Sequence, residues 1–538
     1  MKSIDRLPVL IAMVLISLGA IQCQQKDETP PNVVLFLVDD LGWSDVGCYG
    51  SSLYETPNID QLAVQGVRFT NAYSTCHVCS PARASILTGK YPARLNLTDW
   101  LPGRKDFPFQ KLKNVEINQH LPFEETTLAE ALKANGYSTA IFGKWHLGED
   151  PSGPLQHGFD VHVPKGWNKG WPLSYHAPFR LNGYDGEEGE YLTDRLTDDA
   201  LKYIESNRDK PFFLFLPHYA VHDPIQGRQD LVAKYNEKIT AQPTGQDPEY
   251  IQDPEYILEG NPDSGDGISI DERKELLDEE GYEGYSGLPR NTVKIKQRQD
   301  NADFAAMVES MDESLGRVVS KLKALGLAEN TIIIFCSDNG GMAAANFGKP
   351  TRKIDPSRLD KAFSTSNLPL RGAKGWLYEG DIRVPMIVKW SGVKSPGSIC
   401  NVPVTSTDIY PTILAMLDLP LQPQQHADGK SIVPLLKGEN KLDRDALYWH
   451  FPHYSNHGLQ SPGGAIRYQN YKLIEYYENN TVQLFNIEKD LGEAHDISKE
   501  EPEKVHELRE MLHAWRKDVS ARMMPPNPDY VPDEQVEK

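Results

Sequence analysis

The chain is 538 residues long, with 25% charged and 39% hydrophobic residues, the composition of a globular protein rather than a disordered or fibrous one. That length accommodates one large domain and a smaller one, or two of ordinary size. The formal net charge of −20 argues against a nucleic-acid partner, whose phosphates need a basic face, but leaves room for a small anionic substrate, because a bound divalent cation and a few lysines reverse the field locally.

At the N-terminus, residues 1–23 read as an export signal: Lys2 and Arg6 precede an apolar run from Leu7 to Ile21 that is short for a membrane span. Cleavage after Gly19 or Ala20 is one outcome. Lipidation of Cys23 is the other and the preferred one, since Ala20-Ile21-Gln22-Cys23 loosely resembles a lipobox and Lys26-Asp27-Glu28 resembles a bacterial surface-export signal. Both place the protein in the periplasm or at the outer-membrane surface, with Cys23 as the candidate membrane anchor.

From residue 32 to about 420, short apolar runs alternate with amphipathic stretches, which predicts an α/β domain of parallel βαβ units. Expected strands are Asn32–Val38, Ser138–Phe142, Phe212–Leu216 and Thr331–Ser337. Thr127–Asn135 reads as a helix stopped by Gly136, and apolar residues at 304, 307, 308, 311, 315, 318, 319 and 322 predict a long one. Between residues 225 and 300 the pattern lapses into an acidic stretch that repeats QDPEYI (Gln246–Ile251 and Gln252–Ile257), expected to be a surface insertion. Within it, Asp263 to Glu272 resembles an EF-hand loop, but the glycine-to-isoleucine spacing is one residue short, which favours a solvated acidic loop. The catalytic domain is placed at 30–440. A small α+β domain is placed at 441–525, with strands at Tyr468–Tyr477 and Val482–Ile487 and a closing helix carrying Val505, Leu508, Met511, Leu512 and Trp515.

Six cysteines are too few to hold a chain this long by disulfides. Cys336 lies in an apolar run and reads as a buried small residue. Cys76 and Cys79 form a C-x-x-C without the second pair or histidines that a zinc site needs.

The chemistry is written where the strands end, since ligands of open parallel sheets bind at the strands' carboxyl ends. Asp39-Asp40 follow the first strand and Gly143-Lys144-Trp145-His146 the second. His218 and His222-Asp223-Pro224 follow the third, and Asp338-Asn339-Gly340 the fourth. Asp39, Asp40, Asp338 and Asn339 are hard oxygen donors suited to Ca²⁺ or Mg²⁺. Any one of them alone would read as a cap or turn residue. Cys79 opens the run C-S-P-A-R-A-S-I-L-T-G, where Pro81 favours a helix start and so a positive end that suits a thiolate or an anion. On these grounds Cys79 is a candidate nucleophile with the reaction left open.

The C-x-P-x-R of Cys79 to Arg83 followed by A-S-I-L-T-G resembles the signature of the type I, formylglycine-dependent sulfatases of the alkaline phosphatase superfamily. Further landmarks of that family recur in order: N-V-V-L-F-L-V-D-D-L-G-W at 32–43, G-K-W-H-L-G at 143–148, S-D-N-G at 337–340 and G-A-K-G-W-L-Y-E-G at 372–380. The resemblance implies a large, mixed, mostly parallel sheet sandwiched by helices, with a smaller C-terminal domain. It implies that a maturation enzyme converts Cys79 to formylglycine (3-oxoalanine), and that Asp39, Asp40, Asp338, Asn339 and residue 79 hold a metal, Ca²⁺ first and Mg²⁺ as the alternative. In this scheme a hydroxyl of the hydrated aldehyde attacks sulfur, with Asp338 taking its proton. Arg83 holds the hydrate, Lys144 and Lys374 neutralise the sulfate, and His222 binds or protonates the leaving oxygen. His146 takes the proton of the second hydroxyl so that sulfate is expelled.

For substrate, the stretch Leu97–Gly103 and the aromatic and histidine run Tyr448–Tyr454 suggest a sugar-lined cleft, although domain-interface packing explains the latter run equally well. Oligosaccharides of sulfated algal polysaccharides such as ulvan or carrageenan are expected first and glycosaminoglycan fragments second. The rival activities are phosphodiester or phosphonate monoester hydrolysis in the same superfamily. A non-catalytic glycan-binding protein is the rival outside catalysis, and every catalytic position being present argues against it.

Overall fold

The structure, a computed structural model, describes residues 29–106, 110–241, 250–253, 293–344, 363–455, 457 and 461–530. The export segment with Cys23, the EF-hand-like stretch and all of the two QDPEYI copies except residues 250–253 lie outside the described residues.

Fifteen strands are described: β1 (Asn32–Val38), β2 (Val67–Tyr73), β3 (Ser138–Phe142), β4 (Val161–Val163), β5 (Phe212–Pro217), β6 (Tyr250–Asp253), β7 (Val293–Lys296), β8 (Thr331–Ser337), β9 (Arg383–Lys389), β10 (Ser398–Cys400), β11 (Val404–Thr405), β12 (Ala446–Phe451), β13 (Gly463–Tyr468), β14 (Tyr471–Tyr476) and β15 (Val482–Asn486). Nine form one sheet in the order β10-β2-β9-β8-β1-β5-β3-β4, with β11 also on β2. β8, β1, β5, β3 and β4 run parallel, whereas β9 is antiparallel to both β2 and β8, so the sheet is mixed and mostly parallel.

After Asn32, β1 is apolar because it lies between two parallel neighbours with helices over both faces. Side chains alternate across a strand. Val34, Phe36 and Val38 therefore join one core with the helices Leu192–Ser206 and Ala302–Ala324, while Val33, Leu35 and Leu37 join the other with Cys79–Thr88, Leu128–Ala134 and Ile409–Met416. Local signals set the helix ends. Thr127 and Glu130 form a reciprocal cap on Leu128–Ala134, and the Asn301 side chain accepts from Phe304 N at the start of the long helix.

The stretch read as a surface insertion is partly core. Residues Gln229–Ala241 form a helix whose Leu231 and Tyr235 are buried against Ala302–Ala324, and Lys234 bridges Glu55 and Glu309 at 2.6 and 2.7 Å. Its apolar positions are too sparse to stand out in a window dominated by the acidic residues that follow.

The C-terminal sheet runs β12-β13-β14-β15, all antiparallel, and the helix Pro502–Asp518 lays Leu508 and Leu512 on one face. The expected single strand from Tyr468 to Tyr477 is instead the end of β13, a tight turn at Gln469-Asn470 and β14. Gln469 takes φ 55, which the hairpin turn requires and an unbroken strand would not. The opposite face packs Leu447, Trp449, Ile474 and Phe485 against Trp376, Leu377, Tyr378 and Ile382 of the catalytic domain.

At that interface Lys472, fully buried, lies 3.2 Å from Glu379 and 2.8 Å from Glu493, both also fully buried. Burial pushes Glu493 up to about 7 despite the lysine beside it. Removing one member of a buried ion cluster strands the others, at about 3–5 kcal/mol. Lys472→Met is expected to lower unfolding free energy by that amount in urea titrations, whereas Lys202→Met, at a lysine 71% exposed, should be within about 0.5 kcal/mol of wild type.

Candidate active site

β8, β1, β5 and β3 are adjacent and parallel, so their carboxyl ends bring four loops to one edge of the sheet. Asp39 and Asp40 follow β1, Asp338 and Asn339 follow β8, Lys144 and His146 follow β3, and His222 follows β5. Facing them, Cys79 starts the buried helix Cys79–Thr88. Lys374 lies in the turn before β9. All of these side chains are buried.

Ligand atoms of Asp39, Cys79 and Asp338 lie within 4.8 Å of one another, as do those of Asp40, Cys79 and His222. Lys144 Nζ is 2.6 Å from Asp39 Oδ2, and Lys374 Nζ is 2.6 Å from Asp40 Oδ2 and 3.7 Å from Cys79 Sγ. Arg83 donates through Nε to Asp338 Oδ2 at 2.9 Å and through Nη1 to the carbonyl of Lys144, also at 2.9 Å. Asn339 Nδ2 donates to Asp40 Oδ1 at 2.8 Å. Asp40 and His146 both sit at positive φ, 59 and 55, as strained residues at working sites often do.

The donor set fits a hard divalent cation. Asp39 Oδ1 and Asn339 Oδ1 are buried without a hydrogen-bond partner, and a bound cation is the usual completion of such clustered oxygen acceptors. Burial and the Asp39 charge push Asp338 up to about 6, against the pull of Arg83. Burial would also raise Asp40, but Lys374, His222 and Lys144 outweigh it and hold it well below the carboxylate range. A cation held among these oxygens would relieve the Asp39–Asp338 repulsion.

His222 is oriented by its neighbour. Nδ1 donates to the Asp223 carbonyl at 2.7 Å with the Asp223 carboxylate also at 2.7 Å, which leaves Nε2 facing Asp40 at 3.7 Å. Burial and Lys374 disfavour its protonation, but Asp40 and Asp223 outweigh them and hold the ring well above the usual histidine range. His146 is the opposite case. Burial and Lys144 keep it neutral, and Nε2 is 2.8 Å from the Leu101 carbonyl, so the proton sits on Nε2 and Nδ1 keeps a free lone pair.

The residues expected to form the site lie in this cluster, whereas His218, also after β5, pairs through Nε2 with Ser314 Oγ and packs on Phe36 in the core. Two expectations about a sugar-lined cleft are corrected. In the 448–454 run, Trp449 donates to the Ser74 carbonyl, Phe451 packs on Cys76 and Val78 and His453 pairs with Thr98, all at the domain interface, while His450 pairs with Tyr477 inside the C-terminal domain. In the 97–103 stretch, Leu97, Thr98, Asp99 and Leu101 are buried, and the Leu101 carbonyl fixes His146. Sequence reasoning noted Asp223 only as a neighbour of His222 and missed Asp381. The Asp381 carboxylate accepts from Gly340 N, Gly375 N and Trp376 N at 2.7, 2.6 and 3.2 Å, binding the Asp338 loop to the Lys374 turn. Acceptance of backbone N–H groups from two distant loops leaves no signal in the sequence.

The profile of the family described as Sulfatase matches residues 31–419, and that described as N-sulphoglucosamine sulphohydrolase, C-terminal, matches residues 373–520. A curated relative named Sulfatase from Formosa agariphila is 30% identical, over 96% of this chain and 94% of its own length. The N-acetylgalactosamine-6-O-sulfatase of Bacteroides thetaiotaomicron is 27% identical over 96% and 99%. Among solved structures, Ps i-CgsB superposes with a TM-score of 0.66 at 26% identity, covering 90% of this chain and 92% of that one. With the strand-end carboxylates, the buried cations and Cys79 gathered in one site, these matches establish that the chain belongs to the sulfatase family and is a sulfuric ester hydrolase.

Proposed function

We propose that the protein removes sulfate from sulfated oligosaccharides, with carrageenan-type algal fragments as the first substrate class. The observation that supports this substrate most directly is the likeness to Ps i-CgsB, which has been solved in complex with k-i-k-neocarrahexaose. Glycosaminoglycan fragments are the second class, on the likeness to the N-acetylgalactosamine-6-O-sulfatase. A screen of defined sulfated oligosaccharides for free sulfate is the test, and release from glycosaminoglycan fragments alone would overturn the first assignment. The same assay run against an aryl phosphate diester separates sulfatase from phosphodiesterase action.

In this reading Asp39, Asp40, Asp338 and Asn339 hold a Ca²⁺ ion, which when bound polarises the sulfate and acidifies the nucleophile. Residue 79, matured to formylglycine, supplies the attacking hydroxyl. Cys79 is 3% exposed in the fold, so its maturation precedes folding. Lys144 and Lys374 bind sulfate oxygens, and Arg83 locks Asp338 and the Lys144 loop together. Nδ1 of His146 accepts the proton whose removal expels sulfate. His222 Nε2–H protonates the leaving oxygen. Export, through the segment at residues 1–23 or a lipid on Cys23, is part of the proposal, since polymeric substrates are met outside the cell. Mass analysis of the mature N-terminus tests it.

A proton donor matters in proportion to the basicity of the leaving group. His222→Ala is expected to slow sugar-sulfate hydrolysis by on the order of 10²–10⁴-fold and that of a nitrophenyl sulfate clearly less. Lys374→Ala should slow both. Equal losses for His222→Ala on the two substrates would make it a binding residue only.

A further inference from the structure

One more buried histidine looks onto the site without a task. His457, from the C-terminal domain, is 6% exposed, and neither of its ring nitrogens has a hydrogen-bond partner. A buried imidazole left so is costly, at least one desolvated polar group per nitrogen, and native structures keep such groups where a ligand or water completes them.

Its backbone, by contrast, is held at three points. His457 N donates to Ser455 Oγ at 3.0 Å, and its carbonyl accepts from Ser455 Oγ and from Trp376 Nε1, both at 3.2 Å. Gly375, next to Lys374, is what admits it. A Cβ there would lie 2.5 Å from His457 Cβ, and the residue's φ of 96 independently requires glycine. The ring is thus fixed beside the Lys374 turn while its polar atoms stay open.

Its position within the site is also defined. The charged groups that act most strongly on the ring are Lys374, Asp40, His222 and Asp223. With its Cβ against Gly375, His457 therefore stands beside the Lys374 turn, among the groups that surround His222. Burial and the Lys374 ammonium keep it neutral, with one N–H donor and one lone pair. A sulfate oxygen can only accept. A hydroxyl can either accept from the N–H or donate to the bare nitrogen, so it suits whichever nitrogen it meets.

We propose that His457 is a substrate-binding residue that hydrogen-bonds a hydroxyl of the leaving alcohol adjacent to the sulfated carbon, selecting polyhydroxylated esters over simple ones. This rests on the carbohydrate-sulfatase reading and extends it to a named subsite outside the sulfate-binding groups.

The test compares kcat/KM of the full-length matured enzyme on a sulfated oligosaccharide it cleaves and on nitrophenyl sulfate, which offers no such hydroxyl. His457→Ala should lower the sugar-to-aryl ratio by roughly ten-fold or more, the scale of a lost hydrogen bond that leaves its partner unpaired. His457→Asn, which keeps a donor and an acceptor, should recover part of it. A sulfated substrate deoxygenated beside the sulfated carbon should cost wild type a similar factor and His457→Ala almost nothing, the mark of a direct contact. An unchanged ratio in both variants, or a deoxy penalty that survives in His457→Ala, overturns the proposal while leaving the carbohydrate reading intact. Sulfate release by wild type from the aryl ester and from no sugar overturns both.

Discussion

Cys79→Ala is expected to release no sulfate above background, a loss on the order of 10⁵–10⁶-fold, comparable to deletion of other covalent nucleophiles. No neighbour can substitute. Ser80 Oγ, the adjacent hydroxyl, is occupied in accepting from Leu101 N at 3.1 Å. The folded state should be nearly unaffected, within about 1 kcal/mol by thermal or urea unfolding, because a small buried side chain is replaced by one slightly smaller. The same experiment reads maturation. The peptide spanning residue 79 should carry the aldehyde or its hydrate by mass spectrometry in active protein. Full turnover from protein bearing only the thiol would overturn the covalent scheme.

Asp338→Asn is expected to lose activity by on the order of 10³-fold or more, since metal-assisted charge stabilisation contributes several kcal/mol. Asparagine is the informative change. Alanine would leave Arg83, buried 2.9 Å from this carboxylate, without its partner and so confound the result with unfolding, whereas asparagine keeps an acceptor for the guanidinium. Binding also has a readout independent of turnover. In wild type, Ca²⁺ at about 100 times its Kd should add about 2.7 kcal/mol to unfolding. In Asp338→Asn that gain should shrink, because one anionic ligand is lost and the Asp39–Asp338 repulsion that the cation relieves is already gone. A wild-type midpoint indifferent to Ca²⁺, Mg²⁺ and chelator would remove the metal from the mechanism.

What the sequence determined by itself is local. Asn32–Val38, Ser138–Phe142 and Thr331–Ser337 are strands over the expected residues, because each is a short apolar run bounded by polar residues and buried on both faces. Thr127 with Glu130, and Asn301, mark helix starts by side-chain bonding that needs no tertiary partner. The acids at the ends of β1 and β8 were legible as one site for the same reason, since a parallel sheet delivers all its carboxyl ends to one edge. The tertiary structure decided what depends on residues distant in the chain. His218 and His222 are four apart after one strand, and only packing sends the first to Ser314 in the core and the second to Asp40. The Tyr448–Tyr454 run has the composition of a sugar platform, yet it is covered by the catalytic domain through Ser74, Thr98 and Val78. Asp381 ties two loops more than 30 residues apart by accepting backbone N–H groups, which leaves no trace in side-chain spacing. His457 reaches the site because Gly375 lacks a Cβ, and such complementarity between two segments is a property of the folded chain, not of either segment alone.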